Sequence, residues 1–399
     1  MRSHFKFNRM EFSGSLGDLG TILPLAIAMV IINGVSASGV FLCFGLYYIA
    51  SGFYFQVTSP VEPMKIIAAY SIAHGITAAQ IQSSSLLIAI LLIFLGATGL
   101  ISSIGRNIPL SVIRGVQLST GILLIIKGIQ LIAGISPYQI LHGAAEPHLS
   151  IQSLGPFPIG MILGGLLCIL TLFLLDNKKA PAAVTVVFVG LIVGFILQQP
   201  SSQNSPLFNL SLPALLPYGM PSWHDFSFAL LFLVLPQIPM TIGNAVIANA
   251  DLCQQYFPET GQKVTNRTLC LSMGIANFFC FFLGGIPMCH GAGGLASRYR
   301  FGARTAGSNI IIGAIFISLV LIFGDNILIM LNFIPMAVLG VLLFFAGAQL
   351  SLTLLDIRNR KDLFVVIIIL GITLATNLAA GFLLGIVVAM LMRSKKISV

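Results

Sequence analysis

The sequence predicts an all-α membrane protein of about fourteen transmembrane segments in two inverted repeats of seven. Three observations predict it: the composition, the recurrence of apolar runs, and an internal match whose charges reverse between the halves. Of 399 residues 57% are hydrophobic and only 8% are charged, with a mean hydropathy of +1.01. Soluble domains carry about 25% charged residues, so this chain has too little polar surface to fold in water. The runs Leu86–Leu95, Ile310–Phe323 and Leu363–Ala375, extended by their flanks, approach the ~20 residues that cross a bilayer. The basic N-terminus, MRSHFKFNRMEF, is not followed by a short apolar run and a small-residue cleavage site, so no cleaved signal peptide is expected. The net charge of +9 sits in loops and is read as membrane topology, not as a nucleic-acid footprint. Six cysteines without a CxxC pair read as small buried hydrophobes; no disulfide, metal or cofactor is expected.

Hydropathy and helix breakers give segments at 14–33, 37–55, 61–74, 79–101, 109–127, 157–175, 180–197, 226–248, 268–284, 288–298, 307–324, 333–351, 362–377 and 379–393. The third and tenth begin in proline-containing stretches and are too short to cross ~30 Å of hydrocarbon. Both are expected to be broken helices. With both termini cytoplasmic, fourteen crossings put 17 of the 20 Lys and Arg on one side. The other three, Lys65, Arg114 and Lys127, fall within segments, and the opposite loops at 128–156 and 198–225 contain none. The halves, 1–200 and 201–399, match at an offset of 226 residues: IPLSVIRGVQLSTG (Ile108–Gly121) lies over IPMAVLGVLLFFAG (Ile334–Gly347), and Gly17-Asp18 over Gly243-Asn244. Seven crossings per half force opposite orientations. Arg106 precedes the first IP segment, whereas Asp325 and Asn326 precede the second. Such repeats mark secondary transporters that bind substrate near the midplane, at discontinuous helices.

Three stretches are polar or glycine-rich where lipid disfavours it. In SGSLGDLGTILPL, Asp18 lies inside the first helix, at ~2.5–3.5 kcal/mol on insertion scales. It reads as an interfacial acid near the cytoplasmic end, or as a wall of a site or a proton-linked acid. In QVTSPVEPMKIIAAY, Pro60 and Pro63 delay the helix to about Pro63. A helix start buried there presents free N–H groups to an anion. Glu62 and Lys65 flank it, as a structural ion pair or as a pair that substrate interrupts. In GGIPMCHGAGGLASRYRFGART, Pro287 and the glycines permit close backbone approach at a second helix start, with His290, Gly291, Ala292 and Gly293 at its head. GAGGLA is not read as a dinucleotide fingerprint, since the chain offers no βαβ unit. His290 reads either as an anion donor or as a ring packed against backbone, and Arg298, Arg300 and Arg304 as a cytoplasmic anchor. The two starts belong to opposite repeats and should converge on one point, with Thr58, Ser59, Gln237 and Thr241 as neutral donors and Asn244 where the first helix has Asp18. Asn377 reads as a turn residue.

SGSLGDLGT (Ser13–Thr21), PVEPMKIIAA (Pro60–Ala69) and PMCHGAGGLASRYRFGART (Pro287–Thr305) together resemble the molybdate transporter family, relatives of the sulfate permeases of the SulP superfamily. The resemblance covers most of the chain. It implies a core domain from segments 1–4 and 8–11, a gate domain from 5–7 and 12–14, an oxyanion held between the third and tenth helices, and a homodimer. The family motif reads PVQPMK, and here Glu62 stands at the Gln position. An acid there repels an anion unless it is protonated or paired with Lys65, which makes proton coupling attractive. The chain ends at Val399 directly after the last segment, without the C-terminal STAS domain of typical sulfate permeases, which favours the molybdate branch.

The expected function is import of a tetrahedral oxyanion across the cell membrane, molybdate first and sulfate second, possible with protons as partner. A nucleobase permease of the same fold is the alternative, with Glu62 facing a flat heterocycle. An anion channel lacks its ring of charges, and an enzyme its nucleophile, base and orienting group. A major-facilitator transporter would carry a basic loop where the chain has Phe53–Pro60.

Overall fold

In lipid each backbone donor and acceptor must be satisfied within the protein, which leaves an apolar chain the α-helix. The computed structural model describes residues 4–101, 109–175, 181–197, 209 and 212–393. Of the basic residues expected on the cytoplasmic side, Arg2, Arg106, Lys178, Lys179, Lys395 and Lys396 lie outside the described residues, as does Ile108. The first segment is two helices, α1 (Arg9–Ser15) and α2 (Leu19–Asn33), separated at Leu16–Asp18. There follow α3 (Ala37–Phe55), α4 (Lys65–His74), α5 (Ala78–Thr98), α6 (Leu110–Ala133), α7 (Ile159–Leu174) and α8 (Ala182–Leu197). The second half holds α9 (Trp223–Tyr256), α10 (Asn266–Leu283), α11 (Ala292–Arg300), α12 (Gly307–Phe323), α13 (Met336–Ser351), α14 (Arg360–Ala375) and α15 (Leu378–Met392). Asn377 caps α15, its Oδ1 accepting from Ala380 N at 2.9 Å. Among the described residues, eight helical stretches are long and apolar enough to cross a membrane. The outward faces of α7 and α8 carry side chains such as Phe173, 81% exposed, and Phe195, which suit a lipid environment.

Several boundaries differ from expectation for local reasons. α6 runs six residues past 127 because Gly134, at φ 76, supplies the left-handed stop. α9 extends at both ends and widens into π turns at Ala229–Val234 and Thr241–Ala248. Pro236 and Pro239 take two donors out of the ladder between them. α4 and α11 begin four residues later than expected, since Glu62–Pro63 (β1) and Met288–Cys289 (β2) are extended. These two strands pair antiparallel, Glu62 opposite Cys289 and Pro63 opposite Met288, and Met64 N donates to Pro287 O at 2.8 Å. The helices behind them, ten and nine residues long, reach only about 15 Å at 1.5 Å per residue.

Glycines set the closest packing. α6 and α13 run antiparallel, Gly121 against Gly347 and Gly128 against Gly340, with backbone touching backbone. α3 packs on α12 through Gly45 and Gly313, and α5 on α10 through Gly96 and Gly274.

Candidate functional site

α4 and α11 start side by side because the β1–β2 pairing holds their leading strands together. The first N–H groups of a helix lack intrahelical partners, and at this depth each needs an acceptor. For α4 the acceptor is Gln237 of α9: its Oε1 takes Ile66 N at 3.0 Å and Ile67 N at 3.3 Å, while its Nε2 donates to Thr241 Oγ1 at 2.9 Å. Gln237 and Thr241, expected as donors to a ligand, are thus committed to each other and to the helix start. At α11 the first intrahelical acceptor, Gly291 O, serves Leu295 N. Among the described residues no acceptor meets Ala292, Gly293 or Gly294 N–H in hydrogen-bonding geometry.

Glu62 lies against that free turn. Its carboxyl is fully buried; a methyl group on Gly291 would collide with Oε2, and one on Gly294 would stand 2.9 Å from Oε1. Lys65 Nζ approaches Oε2 at 3.1 Å, an ion-pair distance, but too obliquely for a hydrogen bond, and neither carboxylate oxygen accepts one. Lys65 retains 17% side-chain exposure, because it faces a cavity.

That cavity, about 620 Å³, separates α2, α4, α9 and α11 from α6, α7, α8 and α13. Lys65, Asn244 and Gly293 stand on its wall beside Gly17, Thr21 and Ser297, with Arg114 and Arg300 among the further lining residues and no Asp or Glu among the described ones. Asn244 Nδ2 falls 3.5 Å from the Cβ position of Gly291. Arg114 donates to Gln117 Oε1 at 2.7 Å and pairs with Asp356. Gln117 in turn reaches Met240 Sδ of α9 at 3.1 Å, so this cluster bridges the two sides of the cavity.

The remaining expected residues belong to buried networks. Asp18 accepts from Tyr48 Oη at 2.6 Å and pairs with Arg298 at 3.2 Å, both side chains fully buried. Arg298, read from sequence as part of a surface anchor, instead donates to Thr58 Oγ1 (2.9 Å), Ser15 O (3.2 Å), Ser308 Oγ (3.0 Å) and Asn309 Oδ1 (2.9 Å). An unpaired acid beside polar backbone draws the guanidinium inward. Ser59 is held through its backbone by Asn309. His290 is pinned at both nitrogens, Nδ1 2.6 Å from Pro60 O and Nε2 2.7 Å from Tyr47 Oη, on the side away from the cavity. Lys65, Asn244, Gly291, Ala292 and Gly293 are therefore brought together with Glu62 behind them, whereas Asp18, Thr58, Ser59, Gln237 and His290 brace the walls. Sequence reasoning missed Arg298, Tyr48 and Asn309; a buried acid calling for a counterion was the only signal.

A family model described as "Molybdate transporter of MFS superfamily" matches residues 10–124 and 229–350. The chain belongs to this molybdate transporter family. Molybdate transporter 2 of Arabidopsis thaliana is 31% identical over 96% of this chain and 87% of its own length. Molybdate transporter 1 of Chlamydomonas reinhardtii is 29% identical over 94% and 90%. Although the family description names the major facilitator superfamily, the fold is shared with the transmembrane domain of the cyanobacterial bicarbonate transporter BicA (TM-score 0.65, 18% identity, 96% of each chain). It is shared as well with the inward-facing murine anion transporter Slc26a9 (TM-score 0.68, 15% identity, 98% of this chain and 69% of that one).

Proposed function

We propose that the chain is a secondary transporter that imports a tetrahedral oxyanion, molybdate before sulfate, across the cell membrane. The observation that carries this reading is a 620 Å³ cavity lined by Lys65, Arg114 and Arg300, without a carboxylate among the described residues, and bounded at Gly293 by the unsatisfied start of α11. Main-chain N–H groups at a helix start bind oxyanions, and Lys65 stands on the same wall. The names of the curated relatives supply the identity of the anion. Lys65 is the charged ligand, Ala292 and Gly293 N–H the main-chain donors, and Asn244 a neutral one. Glu62, the group a nucleobase permease would present, does not line the cavity.

The architecture that goes with this function is seven plus seven segments in inverted repeats, with both termini cytoplasmic and two copies per assembly. Register supports the repeat: at the offset of 226 residues Glu62 corresponds to Met288 and Pro63 to Cys289, so the pairing of Glu62 with Cys289 and Pro63 with Met288 is unchanged when the halves exchange. Gly121 and Gly347, which touch, are also equivalents at that offset. The core (α1–α5, α9–α12) moves against the gate (α6–α8, α13–α15) across the cavity. Proteoliposome uptake of labelled molybdate tests the function. Wild type accumulates it and sulfate competes, while Lys65→Ala loses calorimetric binding of both; unchanged binding in that variant removes Lys65 from the site.

A further inference from the structure

Glu62 is a fully buried carboxylate whose two oxygens accept no hydrogen bond, set against the first turn of α11. A buried acid without hydrogen bonds is retained at high cost, so its surroundings decide what it does. On its own element it meets Lys65 at 3.1 Å. From α2 it meets the charge of Asp18, which Arg298 of α11 already pairs at 3.2 Å. From β2 it faces the thiol of Cys289, its register partner. His290 is turned away, both nitrogens bound to Pro60 O and Tyr47 Oη. From α9 come only the neutral Gln237 and Asn244.

The charges therefore balance when the site is empty, Asp18 with Arg298 and Glu62 with Lys65. An oxyanion bound at Lys65 Nζ and the α11 start takes Lys65 from Glu62 and stands within one helical turn of its carboxylate. Two like charges sharing a buried site do not both persist. We propose that Glu62 is the coupling residue of the transport cycle: it stands in for the anion when the site is empty and takes one proton when the anion binds. This rests on the oxyanion reading above. The proton comes from water in the cavity and forms the O–H bond on a Glu62 oxygen; no other bond changes. The anion and proton then cross together.

The test is calorimetric titration of the purified wild-type protein with sulfate, which carries no proton near neutral pH, and with molybdate, in buffers of different ionisation heat. About one proton is taken up per anion, and affinity falls about tenfold per pH unit at alkaline pH. In Glu62→Gln the uptake vanishes and affinity becomes independent of pH. Anion-minus-free infrared difference spectra of wild type show a protonated carboxyl band, which shifts in Glu62→Asp and is lost in Glu62→Gln. Anion binding to wild type without proton uptake and without that band overturns the proposal while leaving the oxyanion site standing. Undiminished uptake in Glu62→Gln overturns it as well. Failure of wild type to bind either anion at any pH overturns the oxyanion reading and the proposal with it.

Discussion

Removing Arg298 should unfold the wall behind the site. Its side chain is fully buried and donates to five acceptors: Asp18, Ser15 O, Thr58, Ser308 and Asn309. In Arg298→Met the volume is kept, but Asp18 is left buried with Tyr48 alone, and breaking one side of a buried ion pair costs ~3–5 kcal/mol. Arg298→Lys keeps the charge with three donors, so at least two acceptors go unmet, at about 1 kcal/mol each. The double variant Arg298→Met/Asp18→Asn removes the stranded charge and should recover part of the loss, a positive coupling in the double-mutant cycle. Thermal unfolding in detergent can be followed with a thiol-reactive dye, since five of the six cysteines are buried and all are free. At about 2 °C per kcal/mol the Met variant falls on the order of 5–10 °C and the Lys variant about half as far. An unchanged midpoint in Arg298→Met, or a double variant no more stable than the single, would refute the reasoning.

Glu146, in the loop between α6 and α7, caps the start of α13 by accepting from Met336 N at 2.6 Å and Ala337 N at 2.8 Å; burial pushes its carboxyl up to about 7, against the lowering effect of those two bonds. Because the folded value is the raised one, its contribution is complete below about 4.5 and lost as pH rises through about 7. That is worth on the order of 3 kcal/mol. Unfolding midpoints measured across this window should decline in wild type and stay flat, relative to it, in Glu146→Gln; parallel profiles would count against the burial argument. Gly347→Val places a side chain where the ideal Cβ already stands 2.9 Å from Leu124 Cβ and against Gly121 backbone. Overpacking of this kind costs ~1–3 kcal/mol and should push α6 away from α13. Gly371→Val, with nothing within 4 Å, is the control, and equal midpoints for the two variants would show that the glycine contact is not tight.

Much of the scaffold was legible because lipid leaves few options. Apolar runs mark helices, and Pro60, Pro63 and Pro287 mark where helices are interrupted. The internal sequence match raised the expectation that the two short helices start at one point, and their leading strands do pair. Partner choice was not legible. Asp18 and Arg298 lie 280 residues apart, and three arginines in one stretch read as a surface cluster until the fold turned one of them inward. Gln237 looked like a ligand donor because nothing local shows that the start of α4, which sits 170 residues away along the chain, needs an acceptor. Glu146 gave no signal at all, since its partners are main-chain groups of a distant helix. Lys65 and Glu62 were visible because they are neighbours in sequence.

The start of α11 has a consequence for how such a protein can diversify. Its donors at Ala292 and Gly293 are main-chain groups, which only a proline would delete, and Gly291 and Gly294 beside them leave little room for a side chain. Point mutation can therefore tune this site mainly through the few side chains that approach it, above all Glu62, Lys65 and Asn244. In the reading proposed above, a lineage could exchange one anion for another by altering those three positions, while the main-chain donors pass unaltered from ancestor to descendant.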